Sequence, residues 1–396
     1  MKTVLPEEVG FSSERLERIT AVMQGYIERQ ELAGTVTAVM RRGRLAYFRC
    51  LGMANLENRL PMQPDTLFRI YSMTKPVTSA AVLMLFEEGR LRLADPVSHY
   101  LPVFNRKMKV ALLPDFSPAV VDAQREITIR DLLTHTAGLS YGFDESSWLD
   151  TRYREQVWAL LERNPELPLE ELMTAIVQLP LAHQPGRVFR YSLATDVLGY
   201  LVSVVTGMPF GDFLQERFFD PLGMVDTFFC VPQEKRHRLA EVYNPAKNGG
   251  LEKVEPPNAA GFFNPRYFQS GGGGLVSTAA DYLRFASMLL NFGELDGQRL
   301  LGRKTVELMS SNHLPAGIHP FEDHSAGFGL GVSVVLNVAA SHNLGSVGRY
   351  GWSGAASTNF WIDPHEQSIG LFLTQRLEST TAADDCRNLV YQAMID

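Results

Sequence analysis

A serine and a lysine, Ser72 and Lys75, lie three positions apart in the segment FRIYSMTKPVTSAAVLMLFEEGR (68–90). The apolar run and the spacing predict that both residues lie on one face at the start of a helix. A serine hydroxyl is a weak nucleophile until a neighbouring base removes its proton. A lysine can act as that base when it is neutral, which burial among apolar residues favours. The pair therefore indicates a nucleophile and its base, with an ordinary surface lysine as the alternative.

A tyrosine, Tyr191, follows a Pro-Gly turn and precedes the predicted helix 195–207. A phenol at such a junction can reach a pocket, and a nearby cation favours its phenolate form. Tyr191 is therefore a candidate proton relay, and the alternative is a tyrosine at the edge of the core. The sequence leaves open whether Lys75 or Tyr191 takes the first proton, because the two groups would titrate as a coupled pair.

Small residues are concentrated in the segment RYGWSGAASTNFWIDP (349–364). Gly351, Gly354 and Ala355 predict a strand edge that a ligand can approach closely. The N–H of Ala355 is the best placed to form an oxyanion hole together with the N–H of Ser72. The alternative is a glycine-rich hairpin arm without a catalytic role.

A second serine, Ser140, lies in a G-x-S-x-G pattern, GLSYG (138–142). In an α/β-hydrolase this serine occupies a strand–turn–helix elbow. Here it follows the predicted helix 128–139 and runs into a loop, so we interpret it as a turn near the pocket. His135 is interpreted as a hydrogen-bonded structural histidine. Because the histidines show no paired ligand spacing, the sequence predicts neither a metal site nor a cofactor.

The predicted elements place strands at both ends of the chain and helices between them. A hairpin is predicted at 35–50, and strands are predicted at 327–336, 357–364 and 367–375. Helices are predicted from 72 to 88, at 169–179, after the glycine run 271–274, and from about 381 onwards. We therefore predict one discontinuous α/β domain, residues 1–88 and 262–396, that carries the nucleophile. Residues 89–261 are predicted to form an inserted, mostly helical domain that carries Tyr191.

The composition excludes several function classes. The chain has 396 residues with a net charge of −7, and it contains no basic run that would attract nucleic acid. Its three cysteines are far apart, which indicates neither a disulfide framework nor a zinc ribbon. Neither a secretory signal nor a membrane span is visible, so a cytoplasmic location is expected. The oligomeric state stays open.

In their order and spacing, the three motifs resemble those of the serine β-lactamase and penicillin-binding-protein superfamily. Segments such as LLTHTAGL (132–139) and GGGGLVSTAADYLRF (271–285) resemble its class C-like branch. The resemblance extends over about residues 10–395 and is greatest to family VIII carboxylesterases. It implies an α+β, β-lactamase/transpeptidase-like fold, with an antiparallel sheet built from the N- and C-terminal parts and flanked by helices. It also implies Ser72 as nucleophile, Lys75 as its base partner and Tyr191 as the second-motif tyrosine.

Two positions depart from the lactamase pattern. Trp352-Ser353-Gly354 stands where lactamases have Lys-Thr-Gly, and Leu193 replaces the asparagine of the second motif. An indole cannot pair with a substrate carboxylate, but it can pack against an apolar group. Both departures argue against efficient turnover of penicillins or cephalosporins, and both suit neutral esters. The candidate substrate-binding residues are Trp352, Gly354, Leu193, Tyr141, Phe143 and Trp148.

The sequence thus predicts a serine carboxylesterase that hydrolyses short- to medium-chain acyl esters through an acyl-Ser72 intermediate. Its expected partner is a small-molecule ester. A β-lactamase, a D-amino-acid peptidase or amidase, and an acyl transferase of the same superfamily are the alternatives. A non-catalytic binding protein on the same fold is a further alternative, and the intact Ser72, Lys75 and Tyr191 argue against it.

Overall fold

The computed structural model describes residues 2–105, 108–255, 259–378 and 380–396. Its main sheet has eight antiparallel strands in the order β4-β5-β6-β7-β8-β1-β2-β3. These strands are β1 (Gly34–Arg41), β2 (Arg44–Asn55), β3 (Leu60–Pro61), β4 (Ala326–Phe328), β5 (Ser333–Val335), β6 (Tyr350–Ser353), β7 (Asn359–Asp363) and β8 (Ser368–Leu373). The two ends of the chain meet in this sheet, since Ala38 of β1 is paired with Leu371 of β8.

Twelve α-helices are present in the described residues. They are α1 (Ser13–Glu28), α2 (Thr74–Glu87), α3 (Ile129–Leu133), α4 (Trp148–Tyr153), α5 (Ala159–Arg163), α6 (Leu169–Gln178), α7 (Ala194–Thr206), α8 (Phe210–Leu214), α9 (Asp220–Leu222), α10 (Ala279–Leu290), α11 (Arg303–Met309) and α12 (Ala382–Tyr391). Their starts follow local chemistry: the hydroxyl oxygens of Ser12 and Thr278 accept backbone N–H groups at the first turns of α1 and α10.

Shorter segments complete the fold. Two-residue and three-residue strands pair as Phe68–Arg69 with Val276–Ser277, Lys109–Ala111 with Val120–Asp122, Tyr243–Pro245 with Leu251–Lys253, and Glu294–Leu295 with Gln298–Arg299. Turns of 3-10 helix lie at Pro6–Val9, Tyr71–Met73, Val97–His99, Pro102–Phe104, Gln233–Arg238 and Ala259–Phe263. Turns of π-helix lie at Arg154–Trp158 and Gln215–Phe219.

Both faces of the main sheet are buried. In β8, Phe372 packs into the cluster formed with α1 and α12, whereas Ile369 and Leu371 point into the larger cluster that includes α2 and α10. Because successive side chains of a strand point to opposite faces, a strand covered on both sides consists of consecutive apolar residues. This explains why β8 is apolar along most of its length.

The segment that carries Ser72 and Lys75 differs slightly from the prediction. The predicted helix from residue 72 is a 3-10 turn, Tyr71–Met73, that continues into α2. Residues 74–85 of α2 are all buried, since this helix is apolar on every side. Lys75 is therefore buried because this part of α2 lies inside the core.

The prediction of one strand over 327–336 is wrong. The structure divides this segment into β4 and β5, which pair with each other as a hairpin. Gly331 lies in the turn with φ +89°, and a β-carbon built on it would lie 2.0 Å from the hydroxyl oxygen of Ser79. The close approach of α2 therefore requires a glycine at this turn.

The sheet contains strands from residues 34–61 and 326–373, and helices α2 to α11 lie between them in the chain. The predicted antiparallel sheet with flanking helices is confirmed. The domain boundaries stay a prediction, because the largest apolar cluster takes side chains from both parts, for example Val77 and Leu198.

Within the described ranges, no single helix is long and apolar enough to cross a membrane. One bent pair, Ala194–Thr206 with Phe210–Leu222, passes that test by length and composition. The first helix of this pair contributes buried side chains such as Val197 and Leu201 to the main apolar cluster.

Candidate active site

The turn that carries Ser72 is held by its neighbours. The backbone N–H of Ile70 donates to the carbonyl oxygen of Leu275 at 3.1 Å, and the phenol of Tyr282 donates to the carbonyl oxygen of Met73 at 2.8 Å. Tyr71 has φ +43°, in the left-handed region that side chains other than glycine rarely adopt. Such a backbone outlier beside a reactive group is a common feature of functional sites. These contacts hold the half-buried Ser72 directly before the N-terminal end of α2.

Lys75 is fully buried, and its amine contacts Ser72. Its Nζ donates to the Oγ of Ser72 at 3.2 Å and to the carbonyl oxygen of Gly272 at 2.6 Å. The same Nζ lies 4.5 Å from the ring centre of Tyr191 and 5.3 Å from that of Tyr141. The helical spacing of three residues therefore directs the amine to the serine, and a distant loop and two rings enclose it.

Tyr191 reaches the same oxygen from the other side. Its Oη donates to the Oγ of Ser72 at 2.7 Å. Its ring packs against His135, with ring centres 4.7 Å apart, and burial together with Lys75 holds the pKa of His135 well below its usual range. The Nδ1 of His135 lies 3.3 Å from the hydroxyl of Ser192, so this histidine is a neutral, hydrogen-bonded packing partner of the tyrosine.

The strand edge after β6 meets the turn that carries Ser72. A β-carbon built on Gly354 would lie 2.4 Å from the carbonyl oxygen of Ile70, so a larger residue cannot occupy this position without displacing the backbone. The N–H of Gly354 donates to Thr358, whereas the N–H of Ala355 makes no hydrogen bond within the described residues. Ala355 and Ser72 line the same cavities.

Two cavities meet at Ser72. The first, which we call the aromatic cavity, has a volume of about 570 Å³ and is lined by aromatic side chains that include Tyr71, Tyr141, Trp158, Phe229, Phe262 and Phe268. The second, which we call the Trp352 cavity, has a volume of about 650 Å³ and is lined by Tyr191, Phe189, Phe321, Trp352 and Gly354, among others. Ser72, Phe143 and Ala355 line both cavities.

The structure places the predicted substrate-binding residues unequally. Tyr141 lines the aromatic cavity, Trp352 and Gly354 line the Trp352 cavity, and Phe143 lines both. Leu193 and Trp148 line neither. Leu193 is buried at the start of α7 in the main apolar cluster, and Trp148 packs against that cluster with Arg152 over its ring. These two side chains have a packing role in this structure, because each faces the core.

Several residues at the site were not singled out from the sequence. Gly272 contacts Lys75, and Asp196 accepts from both Gly272 and Ser270. Trp158, Phe229 and Phe321 line the cavities. Glycines such as those of the run 271–274 permit a close backbone approach, and Gly272 makes one where its carbonyl oxygen contacts Lys75. The aromatic side chains had no local signal, since aromatic residues at such spacings are also common in cores.

Ser140 has a different environment. It is buried with 1% exposure, and its Oγ donates to the carboxylate of Asp150 and accepts from the Nε of Arg190 at 3.0 Å. Arg190 also pairs with Asp150 at 2.9 Å. The hydroxyl is therefore a member of a buried polar network that ties the 138–142 turn to α4.

The family model described as Beta-lactamase matches residues 19–394. The chain belongs to this family. Protein Rv1367c of Mycobacterium tuberculosis (strain ATCC 25618 / H37Rv) is 40% identical to it over 358 residues, which cover 87% of this chain and 86% of the relative. Esterase EstB of Burkholderia gladioli is 29% identical over 384 residues, which cover 89% of this chain and 88% of the esterase.

A solved structure of the same fold is that of EstCE1, described as a hydrolase with promiscuous acyltransferase activity. It is 26% identical to this member of the Beta-lactamase family, with a TM-score of 0.81 and coverage of 96% of this chain and 99% of that one. Together the comparisons confirm the predicted resemblance to family VIII esterases, the fold class and the prediction of a serine hydrolase.

Proposed function

We propose that this chain is a serine carboxylesterase that hydrolyses short- to medium-chain acyl esters through an acyl-Ser72 intermediate. The observation that supports this most directly is the convergence on one oxygen: Lys75 Nζ at 3.2 Å and Tyr191 Oη at 2.7 Å from Ser72 Oγ. Two proton-transferring groups within hydrogen-bond reach of a hydroxyl are what nucleophilic catalysis by serine needs.

Acylation begins when Ser72 Oγ attacks the ester carbonyl carbon and its proton passes to the Lys75–Tyr191 pair. The carbonyl oxygen becomes an oxyanion, and the N–H groups of Ser72 and Ala355 are the donors that we assign to it. The tetrahedral intermediate then collapses, the bond to the alcohol oxygen breaks, and that oxygen takes a proton from Tyr191. Water repeats the sequence on the acyl-enzyme and releases the acid.

The two cavities suggest where each half of the ester binds. Tyr191, which protonates the departing oxygen in this mechanism, lines the Trp352 cavity, so the alcohol group belongs there. The acyl group then occupies the aromatic cavity, whose apolar lining suits a hydrocarbon chain or ring. Trp352 stands where lactamases carry a lysine, and its ring packs 5.2 Å from that of Phe328. This wall is compatible with a neutral alcohol group.

Acyl transfer to an alcohol is a second candidate function. It differs from hydrolysis in the second step, in which an alcohol replaces water as the nucleophile. The observation that favours it is the Trp352 cavity of about 650 Å³, which has room for an acceptor alcohol beside an acylated Ser72. The structural relative EstCE1 is described as having such an activity.

A single experiment tests the main proposal. The protein is incubated with p-nitrophenyl butyrate, the release of nitrophenol is followed for an initial burst, and the quenched protein is analysed by mass spectrometry. We expect turnover and a butyryl adduct on the peptide that contains Ser72. Adding a small primary alcohol measures the transfer reaction through the butyrate ester formed. Absence of turnover on every ester tested, with Ser72 unlabelled by a fluorophosphonate, would overturn the proposal.

A further inference from the structure

A buried carboxylate lies beside the proposed catalytic residues. Asp196 is in the first turn of α7, five residues after Tyr191, and its exposure is 1%. Its Oδ1 accepts from the hydroxyl of Ser270 at 2.5 Å and from the N–H of Gly272 at 3.1 Å. Its Oδ2 is buried and has no hydrogen-bond partner among the described residues. A carboxylate oxygen left in this state costs stability, so the packing of the 270–272 loop does not by itself explain why an aspartate is here.

The carboxylate of Asp196 is connected to Lys75 through the backbone of Gly272. The N–H of Gly272 donates to Asp196, and the carbonyl oxygen of Gly272 accepts from Lys75 Nζ at 2.6 Å. A β-carbon built on Gly272 would lie 2.5 Å from Asp196 Oδ2 and 2.9 Å from the Oη of Tyr141. The contact therefore depends on a glycine at 272, and Asp196 fixes the position of the carbonyl that holds the lysine amine.

We propose that Asp196 is a positioning residue for the acylation step, which holds Lys75 against Ser72 through the Gly272 backbone and acts on its amine as a buried negative charge. The inference rests on the proposed function. It assigns to α7 a second role besides the presentation of Tyr191.

The electrostatics agree with this geometry. Burial raises the pKa of Asp196, and Lys75 is the strongest influence that opposes the rise. The polar groups that face the carboxylate come from three elements: Lys75 on α2, Tyr141 in the loop before α4, and Ser270 with Gly272 in the loop before α10. Burial and the charge of Asp196 together raise the pKa of Tyr141 well above its usual range, so this phenol stays neutral. Lys75 is therefore the cation that favours the charged form of Asp196.

The test compares three variants. Asp196→Asn keeps an acceptor for Gly272 but removes the charge, and Ser270→Ala removes one hydrogen bond but keeps the charge. Asp281→Asn is the matched control, because Asp281 is another buried carboxylate whose pKa burial raises, and it binds Thr227 and the backbone of Asp226. For each protein we would measure thermal unfolding, kcat and KM with p-nitrophenyl butyrate, and the rate of fluorophosphonate labelling from pH 5 to 9.

We expect Asp196→Asn to lower kcat and the labelling rate roughly 10- to 100-fold with little change in KM. The pH profile of its labelling rate should also differ from that of the wild type, because the buried charge beside the amine is removed. Ser270→Ala should lower the rate without moving the profile, and Asp281→Asn should change the melting temperature alone.

An Asp196→Asn protein with a wild-type labelling profile and kcat would overturn the proposal, whatever its melting temperature. Failure of the proposed function would look different. In that case the wild-type protein itself would neither turn over an ester nor take the label at Ser72.

Discussion

Two serines of this chain lie in recognisable catalytic patterns, and their surroundings are opposite. Ser72 is half-buried, lines two cavities, and contacts an amine and a phenol. Ser140 is fully buried, and its hydroxyl is bound between a carboxylate and a guanidinium that already pair with each other. The comparison teaches that access and the type of partner distinguish a nucleophile from a structural hydroxyl.

The largest expected effect is at the first serine. Ser72→Ala should lower kcat by more than about three orders of magnitude, because the covalent path is lost. Steady-state hydrolysis of p-nitrophenyl butyrate measures it, with circular dichroism as the control for folding. Activity near the wild-type level in this variant would mean that Ser72 is not the nucleophile, and the contrast between the two serines would fail.

Replacing the partners of Ser72 should have the next largest effect. Lys75→Met and Tyr191→Phe keep the side-chain volumes and remove the proton-transferring groups, so each should lower kcat roughly 10²- to 10⁴-fold. Lys75→Met leaves the buried Asp196 carboxylate without the amine that faces it, so it should lower the melting temperature as well as kcat. A stability loss with a normal kcat would mean that Lys75 is structural.

Access can be tested by changing one cavity at a time. Phe229→Ala should raise kcat/KM for longer acyl chains relative to butyrate by about tenfold, whatever the alcohol, because it enlarges the aromatic cavity. Phe321→Ala in the Trp352 cavity is the matched variant, and it should alter preference among alcohols without changing the deacylation rate. A panel of esters made from two acids and two alcohols separates these outcomes. If Phe229→Ala changed the alcohol preference and Phe321→Ala the acyl preference, the assignment of the two cavities would be reversed.

His135 lies between the two serines, since its ring packs on Tyr191 and its carbonyl oxygen accepts from the N–H of Arg190. Its pKa is lowered in the folded protein, so below the unfolded value of about 6.5 the unfolded chain binds the extra proton. Stability should therefore fall as the pH falls below that value, by up to roughly 1.4 kcal/mol per unit from this group. Urea unfolding at several pH values should show a smaller slope for His135→Gln, and an equal slope would contradict this.

The smallest effect on activity is expected at the second serine. Ser140→Ala should keep kcat within about threefold of wild type. It should lower the free energy of unfolding by about 1–3 kcal/mol, because Asp150 and Arg190 lose a buried hydrogen-bond partner. Denaturant unfolding and the same ester assay measure both quantities. A large loss of kcat without a loss of stability would mean that Ser140, like Ser72, takes part in catalysis.

The predictions from the sequence were most accurate where they depend on residues that are neighbours in the chain. The Ser72–Lys75 pair depends on helical spacing, and the strands 357–364 and 367–375 depend on apolar runs, which the structure matches closely as β7 and β8. Predictions that needed side-chain direction were less successful. Trp148 and Leu193 face the core, and the 327–336 strand is a hairpin because α2 approaches Gly331.

By itself, the sequence determined the family, the fold class and the short-range pair at the start of α2, since residue spacing within one helix turn is set by helix geometry. The tertiary structure decided which serine opens into a cavity and which is bound within a buried network. It also brought Gly272 and Asp196 to a lysine more than a hundred residues away in the chain. The physical reason is that a cavity is formed by the surfaces of separate segments, and the spacing within any one of them does not specify how they pack.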